Sequence, residues 1–187
     1  MVKIGVSGSQ GSFSEEAARH YCDNNNIKDY ELAYLISADR VLEALTNKEI
    51  DKGVFPIENS NGGVVYEAVY AMSRYVFGIE NMFEIDIKHC LLAQKGVNPG
   101  DIDMITSHLQ AIKQCNMYLK RKWQNTEIKE YSDTAEAAKD LKSGELPSSC
   151  AVIAPQICAE LYGLEVLEEG IQDLKFNFTT FVMGVGK

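Results

Sequence analysis

Val2-Lys-Ile-Gly-Val-Ser-Gly-Ser-Gln-Gly-Ser-Phe-Ser-Glu-Glu-Ala-Ala-Arg-His-Tyr21 is the stretch whose reading decides the fold. Val2 to Val6 is a short apolar run, and its length and flanking glycines read as a strand. Ser7 to Ser12 is a polar loop carrying Gly8 and Gly11. Phe13, Ala17, Ala18 and Tyr21 then recur at three-to-four spacing, the mark of one helical face. The order is strand, glycine loop, helix.

The same order repeats along the chain. Glu31 to Ile36 reads as a second strand, Ser37 caps a helix through Leu45, and Gly53 to Pro56 begins a third strand. Ile57-Glu-Asn-Ser-Asn-Gly-Gly63 is another polar loop, and it opens a helix bearing Val64, Val65, Ala68, Val69 and Met72. Ile79 to Ala93 is strand-like, and Gly96-Val-Asn-Pro-Gly100 is a turn. Ile102 to Thr106 makes a strand that passes through Ser107-His108 into one long amphipathic helix ending near Trp123, with Ile112, Cys115 and Leu119 on its apolar face. Ile128 to Tyr131 is the next strand, and Asp133 with Glu136 has capping-box spacing at the start of a helix from Ala135 to Leu141. Cys150 to Ala154 is apolar, Pro155 suits the first turn of the helix that follows, and Gly163 ends it. Phe176-Asn-Phe-Thr-Thr-Phe-Val182 alternates before turning apolar and reads as a closing strand with Asn177, Thr179 and Thr180 as its short polar groups.

Strands alternating with helices predict an α/β architecture of mainly parallel sheets. Their grouping, split near residue 78, predicts two lobes. In such sheets ligands bind beyond the carboxyl ends of the strands, where helix N-termini offer free N–H groups to anions. Four strand-to-helix junctions carry hydroxyl or amide residues: Ser9 to Ser12, Asn59 to Gly63, Ser107-His108, and Ser132 to Thr134. Each taken singly is a good helix cap. Together they favour a small anionic ligand in an interlobe cleft. No Gly-Lys-Ser/Thr follows Gly8-Ser-Gln-Gly11, and the spacing GxGxxG is absent, so neither nucleotide motif is present.

Composition narrows the partners. The chain has 187 residues, a net charge of −9 and 45% hydrophobic content, enough apolar material for a folded core. Nucleic acid is excluded as an expected partner, because phosphate neutralisation needs clustered cations. The run Lys120-Arg121-Lys122 reads as a solvated helix end. Five cysteines without a CxxC pair fit reduced thiols in a cytoplasmic protein. The three histidines lack metal-ligand spacing. No apolar run reaches membrane-spanning length, so no membrane partner is expected.

Five blocks carry a family resemblance: Gly8-Ser-Gln-Gly-Ser-Phe-Ser-Glu-Glu-Ala-Ala18, Val54-Phe-Pro-Ile-Glu-Asn-Ser-Asn-Gly-Gly-Val64, Ser107-His-Leu-Gln-Ala-Ile-Lys-Gln-Cys115, Leu161-Tyr-Gly-Leu164 and Asn177-Phe-Thr-Thr-Phe181. In order and spacing the chain resembles the prephenate dehydratase domain over nearly its whole length. The resemblance implies a two-lobed fold like the type II periplasmic binding proteins, with the C-terminal segment returning to the first lobe, so that residues 1–77 with 168–187 form one lobe and residues 78–167 the other, and the active site in the cleft. It implies conversion of prephenate to phenylpyruvate, with loss of carbon dioxide and water, in phenylalanine synthesis. Asn59, Ser107, Gln114 and Thr179 fall on the family's functional positions. Ser12, Phe13, Ser60 and Gly62 would line the same cleft, beside Thr180 and Phe181 of the closing motif. No cofactor or metal is implied. Prephenate is the implied small-molecule partner, with its amino analogue arogenate left open, and a homodimer or a separate regulatory chain is compatible with the resemblance.

Prephenate carries two carboxylates and a ring hydroxyl, so the site needs anion donors and one group that hydrogen-bonds the departing hydroxyl. Thr179 is the candidate for that group, acting as a positioned donor. Phe13, Phe178 and Phe181 would supply apolar surface. Two departures from the family pattern stand out. Its closing Thr-Arg-Phe is here Thr179-Thr180-Phe181, which removes a guanidinium; Arg19, Arg40 and Arg74 are the candidates to replace it. The small phenylalanine-binding ACT domain of many members does not follow Lys187, which predicts a catalytic domain without feedback control in the same polypeptide. Leu109 replaces the usual proline after Ser-His, a change expected to affect only the helix start. Two other functions share these features: a decarboxylase that retains the ring hydroxyl, and a non-catalytic anion sensor.

Overall fold

Ile4 and Val6 are fully buried, and the apolar run around them forms strand β1, Val2–Val6. The computed structural model describes residues 1–187. After β1 the chain forms α1 (Phe13–Asn24), β2 (Tyr30–Tyr34), α2 (Ala38–Thr46), β3 (Lys52–Asn59), β4 (Gly63–Val64), α3 (Tyr66–Arg74) and β5 (Phe77–Asp86). It continues through β6 (Cys90–Ala93), a 3-10 turn at Pro99–Asp101, β7 (Met104–Ser107), α4 (Leu109–Gln114), α5 (Asn116–Lys122) and β8 (Glu127–Glu130). The remainder is α6 (Thr134–Ser143), β9 (Cys150–Ala154), α7 (Gln156–Tyr162), β10 (Glu165–Glu169) and β11 (Phe178–Gly186).

The chain divides into two units, Met1–Asp86 with Phe178–Lys187, and Ile87–Asn177. The first has a six-stranded sheet in the order β2-β1-β3-β11-β5, with β4 paired to β3. β1 runs parallel to β2 and β3, whereas β11 is antiparallel to β3 and β5. The second has a five-stranded sheet in the order β10-β6-β9-β7-β8, parallel at β7 and antiparallel at β6. Each sheet is mixed but most of its strands run one way, β1, β2, β3 and β5 in the first and β7, β8, β9 and β10 in the second. The antiparallel member of the strand order is β11 in one unit and β6 in the other, each next to an edge strand and each the first strand the chain forms after entering or re-entering that unit. The closing strand thus returns to the first sheet, as expected.

The unit boundaries differ from the residues at which the sequence pattern divides. β5 pairs along its length with β11 and belongs to the first unit, although all but its first residue lies beyond residue 77. β10 pairs with β6, so residues 168–177 belong to the second. A strand's unit is decided by the partner it hydrogen-bonds, which for β5 lies about a hundred residues away.

In the first unit Val41, Leu42 and Leu45 of α2 pack with Phe55, Ala68, Ala71 and Val182. In the second, β6 alternates between two cores. Cys90 and Leu92 face α6 and α7 with Leu141 and Cys158, while Leu91 and Ala93 face Tyr118 and Leu119. Burial on both faces explains why β6 and β9 are continuously apolar. No helix is long and apolar enough to cross a membrane.

Two local expectations change. Ile57 to Asn59 extends β3, and Gly63–Val64 forms β4 against it, so the helix that follows begins only at Tyr66. The long helix ending near Trp123 is two helices, broken at Cys115 with φ −112° and ψ 15°. Asp173 accounts for the break: its carboxylate accepts from Met117 N at 2.7 Å and Tyr118 N at 2.9 Å, which caps α5 from another part of the chain.

Candidate active site

Asn59 ends β3 and shapes the turn after it. Its Oδ1 accepts from Asn61 N at 3.0 Å and Gly62 N at 2.8 Å, and Gly63 completes the reversal at φ +76°, a conformation that favours glycine. With its oxygen held by the turn, the amide nitrogen faces the neighbouring strand. Asn59 Nδ2 donates to Thr179 Oγ1 at 2.8 Å and to the Phe178 carbonyl at 3.2 Å. The adjacent Ser60 is fastened to the same strand: Ser60 N donates to Phe178 O at 2.8 Å, and Ser60 Oγ accepts from Phe178 N at 3.0 Å. Asn59, Ser60, Gly62 and Thr179 are therefore assembled into one polar group. Because Thr179 Oγ1 receives a hydrogen bond there, its O–H is strengthened as a donor. Thr179 is only 8% exposed.

Ser12 caps α1, with Oγ accepting from Glu15 N at 3.3 Å, and Phe13 is the first residue of that helix. The loop before it approaches so closely that a Cβ at Gly8 would collide with the Ser12 hydroxyl. Fully buried Glu15 braces the loop, its carboxylate accepting from Gly11 N at 2.7 Å and from Arg19 Nε at 2.9 Å. β1 and β3 are parallel neighbours, so this loop and Asn59 lie at the same, carboxyl end of the sheet.

Position 180 lies between two acids. Thr180 is directly opposite Glu58 on β3 and Glu84 on β5, and its Oγ1 is 3.5 Å from Glu84 Oε1. The three arginines proposed to replace the family guanidinium are engaged elsewhere: Arg19 with Glu15, Arg40 with Glu43, and Arg74 with Asp39. Phe181 is 1% exposed and stacks on Phe83 at 6.2 Å between centroids. Packed inside the sheet, it does not offer a surface to a ligand.

The second unit holds Gln114, at the end of α4. Its Oε1 accepts from Asn177 Nδ2 at 2.9 Å and lies 2.7 Å from His89 Nε2. The Gln114 carbonyl accepts from Asp173 N at 2.7 Å. Burial holds the His89 pKa below its usual value, against the opposing effect of its Gln114 hydrogen bond. Ser107 is a different case. At 0% exposure it donates to the Ile153 carbonyl at 2.6 Å, and its own carbonyl receives Tyr131 N at 2.8 Å. Its hydroxyl proton is committed to the sheet, which makes it a brace for the strand ends and not an exposed anion donor. Beyond it, α4 begins at Leu109 with His108 Nδ1 accepting from Gln110 N at 3.3 Å, so the missing proline leaves the helix start intact.

His89 and Asn177 were not among the expected functional groups. A sequence signal exists for His89: Ile85, Ile87, His89 and Leu91 are spaced by two and all buried, so the histidine occupies an apolar position in a strand-like run. No group of three or more His, Cys, Asp or Glu side chains is placed to hold a metal ion. All five cysteines are buried free thiols, and burial raises the pKa of Cys22, Cys115 and Cys150, in the last to about 12, which opposes thiolate chemistry.

Comparison with known proteins covers both units. The family model for prephenate dehydratase matches residues 4–184. Arogenate dehydratase 1 of Petunia hybrida is 33% identical over 185 residues, spanning 97% of this chain and 42% of the relative. The bifunctional chorismate mutase/prephenate dehydratase of Buchnera aphidicola is 32% identical over 176 residues, spanning 94% of this chain and 45% of the relative. The chain thus spans less than half the length of these relatives. A crystal structure of the prephenate dehydratase of Arthrobacter aurescens in complex with L-Phe superimposes with a TM-score of 0.89 at 29% identity, covering 100% of this chain and 60% of that one.

Proposed function

Because this chain belongs to the prephenate dehydratase family, we propose that it converts prephenate to phenylpyruvate, expelling carbon dioxide and water, as a carbon–oxygen lyase of phenylalanine biosynthesis. The observation that carries this reading is the Asn59–Thr179 hydrogen bond of 2.8 Å. In the reaction the ring C–COO⁻ bond breaks and its electrons enter the ring. The C–O bond to the ring hydroxyl breaks at the same time, and the departing oxygen takes a proton to leave as water. The net reaction consumes one proton, and aromatisation drives it.

Thr179 is assigned the hydrogen bond to the departing hydroxyl. Asn59 occupies an acceptor site on its oxygen and thereby directs the O–H toward substrate. A threonine hydroxyl is too weak an acid to donate its proton outright, so it acts as a positioned donor that can relay one. Gln114 supplies an amide donor for a substrate carboxylate, whereas the Ser12 backbone N–H is taken up by the Ser9 carbonyl at 3.1 Å. Ser60 and Gly62 hold the Asn59 turn, and Ser107 braces the second sheet. Thr180 leaves its position without a cation.

Arogenate is the second substrate reading, supported by the name of the Petunia relative at 33% identity. It differs from prephenate in carrying an amino group where prephenate has a keto oxygen, and the same bond changes would give phenylalanine. The test is to incubate purified protein with each compound at neutral pH and identify products by NMR. Phenylpyruvate from prephenate is the expected result. Exclusive turnover of arogenate would transfer the assignment to that substrate, a product retaining its hydroxyl would indicate decarboxylation alone, and unchanged but bound prephenate would indicate a sensor.

A further inference from the structure

Asn177 is the last residue of the second unit and Ile87 the first, and the two are joined where the chain enters and leaves it. Ile87 N donates to the Asn177 carbonyl at 2.7 Å, and Asn177 Nδ2 donates to the Ile87 carbonyl at 3.2 Å. A backbone carbonyl can only accept, so the Asn177 amide must turn its NH2 group inward. That same nitrogen lies 2.9 Å from the Gln114 carboxamide, which must therefore present its oxygen. His89 Nε2, 2.7 Å from that oxygen, must in turn carry a hydrogen. One unambiguous acceptor thus orders three side chains whose orientation would otherwise rest on choosing between nitrogen and oxygen.

We infer that His89 and Asn177 are positioning residues for Gln114: gripping its carboxamide oxygen from two sides, they fix its NH2 group as the end presented to a ligand. The inference rests on the reading of Gln114 as a substrate donor. Asn177 is 0% exposed and His89 3%, so neither side chain is accessible to contact substrate itself. Gln114 is half-buried at the end of α4. A carboxamide oxygen offers two acceptor directions, and two donors occupy both. Rotation of the amide would place NH2 against two donors and an oxygen toward the ligand. For an anionic substrate that inversion replaces an attractive contact with a repulsive one. The histidine belongs to the arrangement as a neutral donor whose Nε2 bears the hydrogen, the tautomer selected by its partner.

Two measurements test it. In the uniformly 15N-labelled full chain, long-range 1H–15N correlation of the His89 ring should show protonated Nε2 and unprotonated Nδ1 at neutral pH. A ring protonated on Nδ1 alone would overturn the grip on Gln114, and this result is readable whether or not the protein turns over prephenate. The second is a double-mutant cycle of prephenate kinetics. His89→Leu and Asn177→Asp should each raise KM tenfold or more, like Gln114→Leu, with a smaller change in kcat. In the Gln114→Leu background His89→Leu should raise KM no further, because its effect passes through the missing amide. Multiplying effects would show that His89 acts independently and would overturn the inference. His89→Gln, which restores an N–H donor, should recover part of the loss.

Discussion

Asn59 Nδ2 lies 2.8 Å from Thr179 Oγ1, and the two residues are 120 positions apart in the chain. The contact makes the end of β3 and the start of β11 one piece of structure. It also gives the threonine hydroxyl a direction, since an oxygen that accepts from an amide has its own hydrogen turned elsewhere.

Removing that hydroxyl should affect rate more than affinity. Thr179→Ala is expected to lower kcat for prephenate by about 10²–10³-fold, the usual scale for a lost transition-state donor, with a much smaller change in KM. Thr179→Ser should retain most of the activity. Steady-state kinetics of the three proteins decides the point, and an alanine variant as fast as the parent would remove Thr179 from the mechanism.

Reversing the hydroxyl should cost nearly as much as deleting it. Asn59→Asp keeps an acceptor for the N–H groups of Asn61 and Gly62 but places a carboxylate oxygen against Thr179 Oγ1. The threonine must then donate to that oxygen. Expected is a kcat loss of roughly 10²-fold with the folded structure retained, as judged by circular dichroism and kinetics. Unchanged turnover would show that the direction of this hydrogen bond is irrelevant.

The acids flanking position 180 predict a gain in stability from restoring a cation. In Thr180→Arg the guanidinium would lie between Glu58 and Glu84, its cross-strand neighbours. The expected gain is about 0.5–1 kcal/mol in urea unfolding at low salt, fading in 1 M salt as the charges are screened. A salt-independent effect would assign it to packing instead.

Stability should also report the burial of His89. Its folded pKa lies below the ordinary value of 6.5, so the unfolded chain binds the extra proton first as the pH falls. The stabilising contribution is fully present above about pH 6.5 and is lost as the pH drops through that value toward the folded pKa. Glu80 and Glu168 have lowered pKa values, so their contributions decline only below the ordinary 4.5. Urea midpoints at about pH 7.5 and 5.5 should therefore fall further in the parent than in His89→Gln. Equal falls would exclude His89 as the titrating group.

Asp173 should prove structural at a distance. Asp173→Ala removes the acceptor for Met117 N and Tyr118 N and is expected to cost about 1–2 kcal/mol in urea unfolding, while Asp173→Asn, which keeps one side-chain oxygen, should cost less. A variant as stable as the parent would mean that the break at Cys115 does not depend on this cap.

The sequence by itself determined the alternation of strands and helices, the Ser12, Ser37 and Asp133 caps, and the polar loops that open at strand ends. These are local properties: periodicity records which side of an element is buried, and a capping side chain reaches only two or three residues ahead. The blocks around Asn59, Gln114 and Thr179 were legible for the same reason. Tertiary structure alone decided what those blocks bond to. It placed β11 between β3 and β5, committed the Ser107 hydroxyl to Ile153, buried Phe181 in the sheet, and divided a continuous helical pattern at Cys115. It also drew His89 and Asn177 onto Gln114, across 25 and 63 residues. A buried donor must find an acceptor, and which one it finds depends on how the whole chain closes around it.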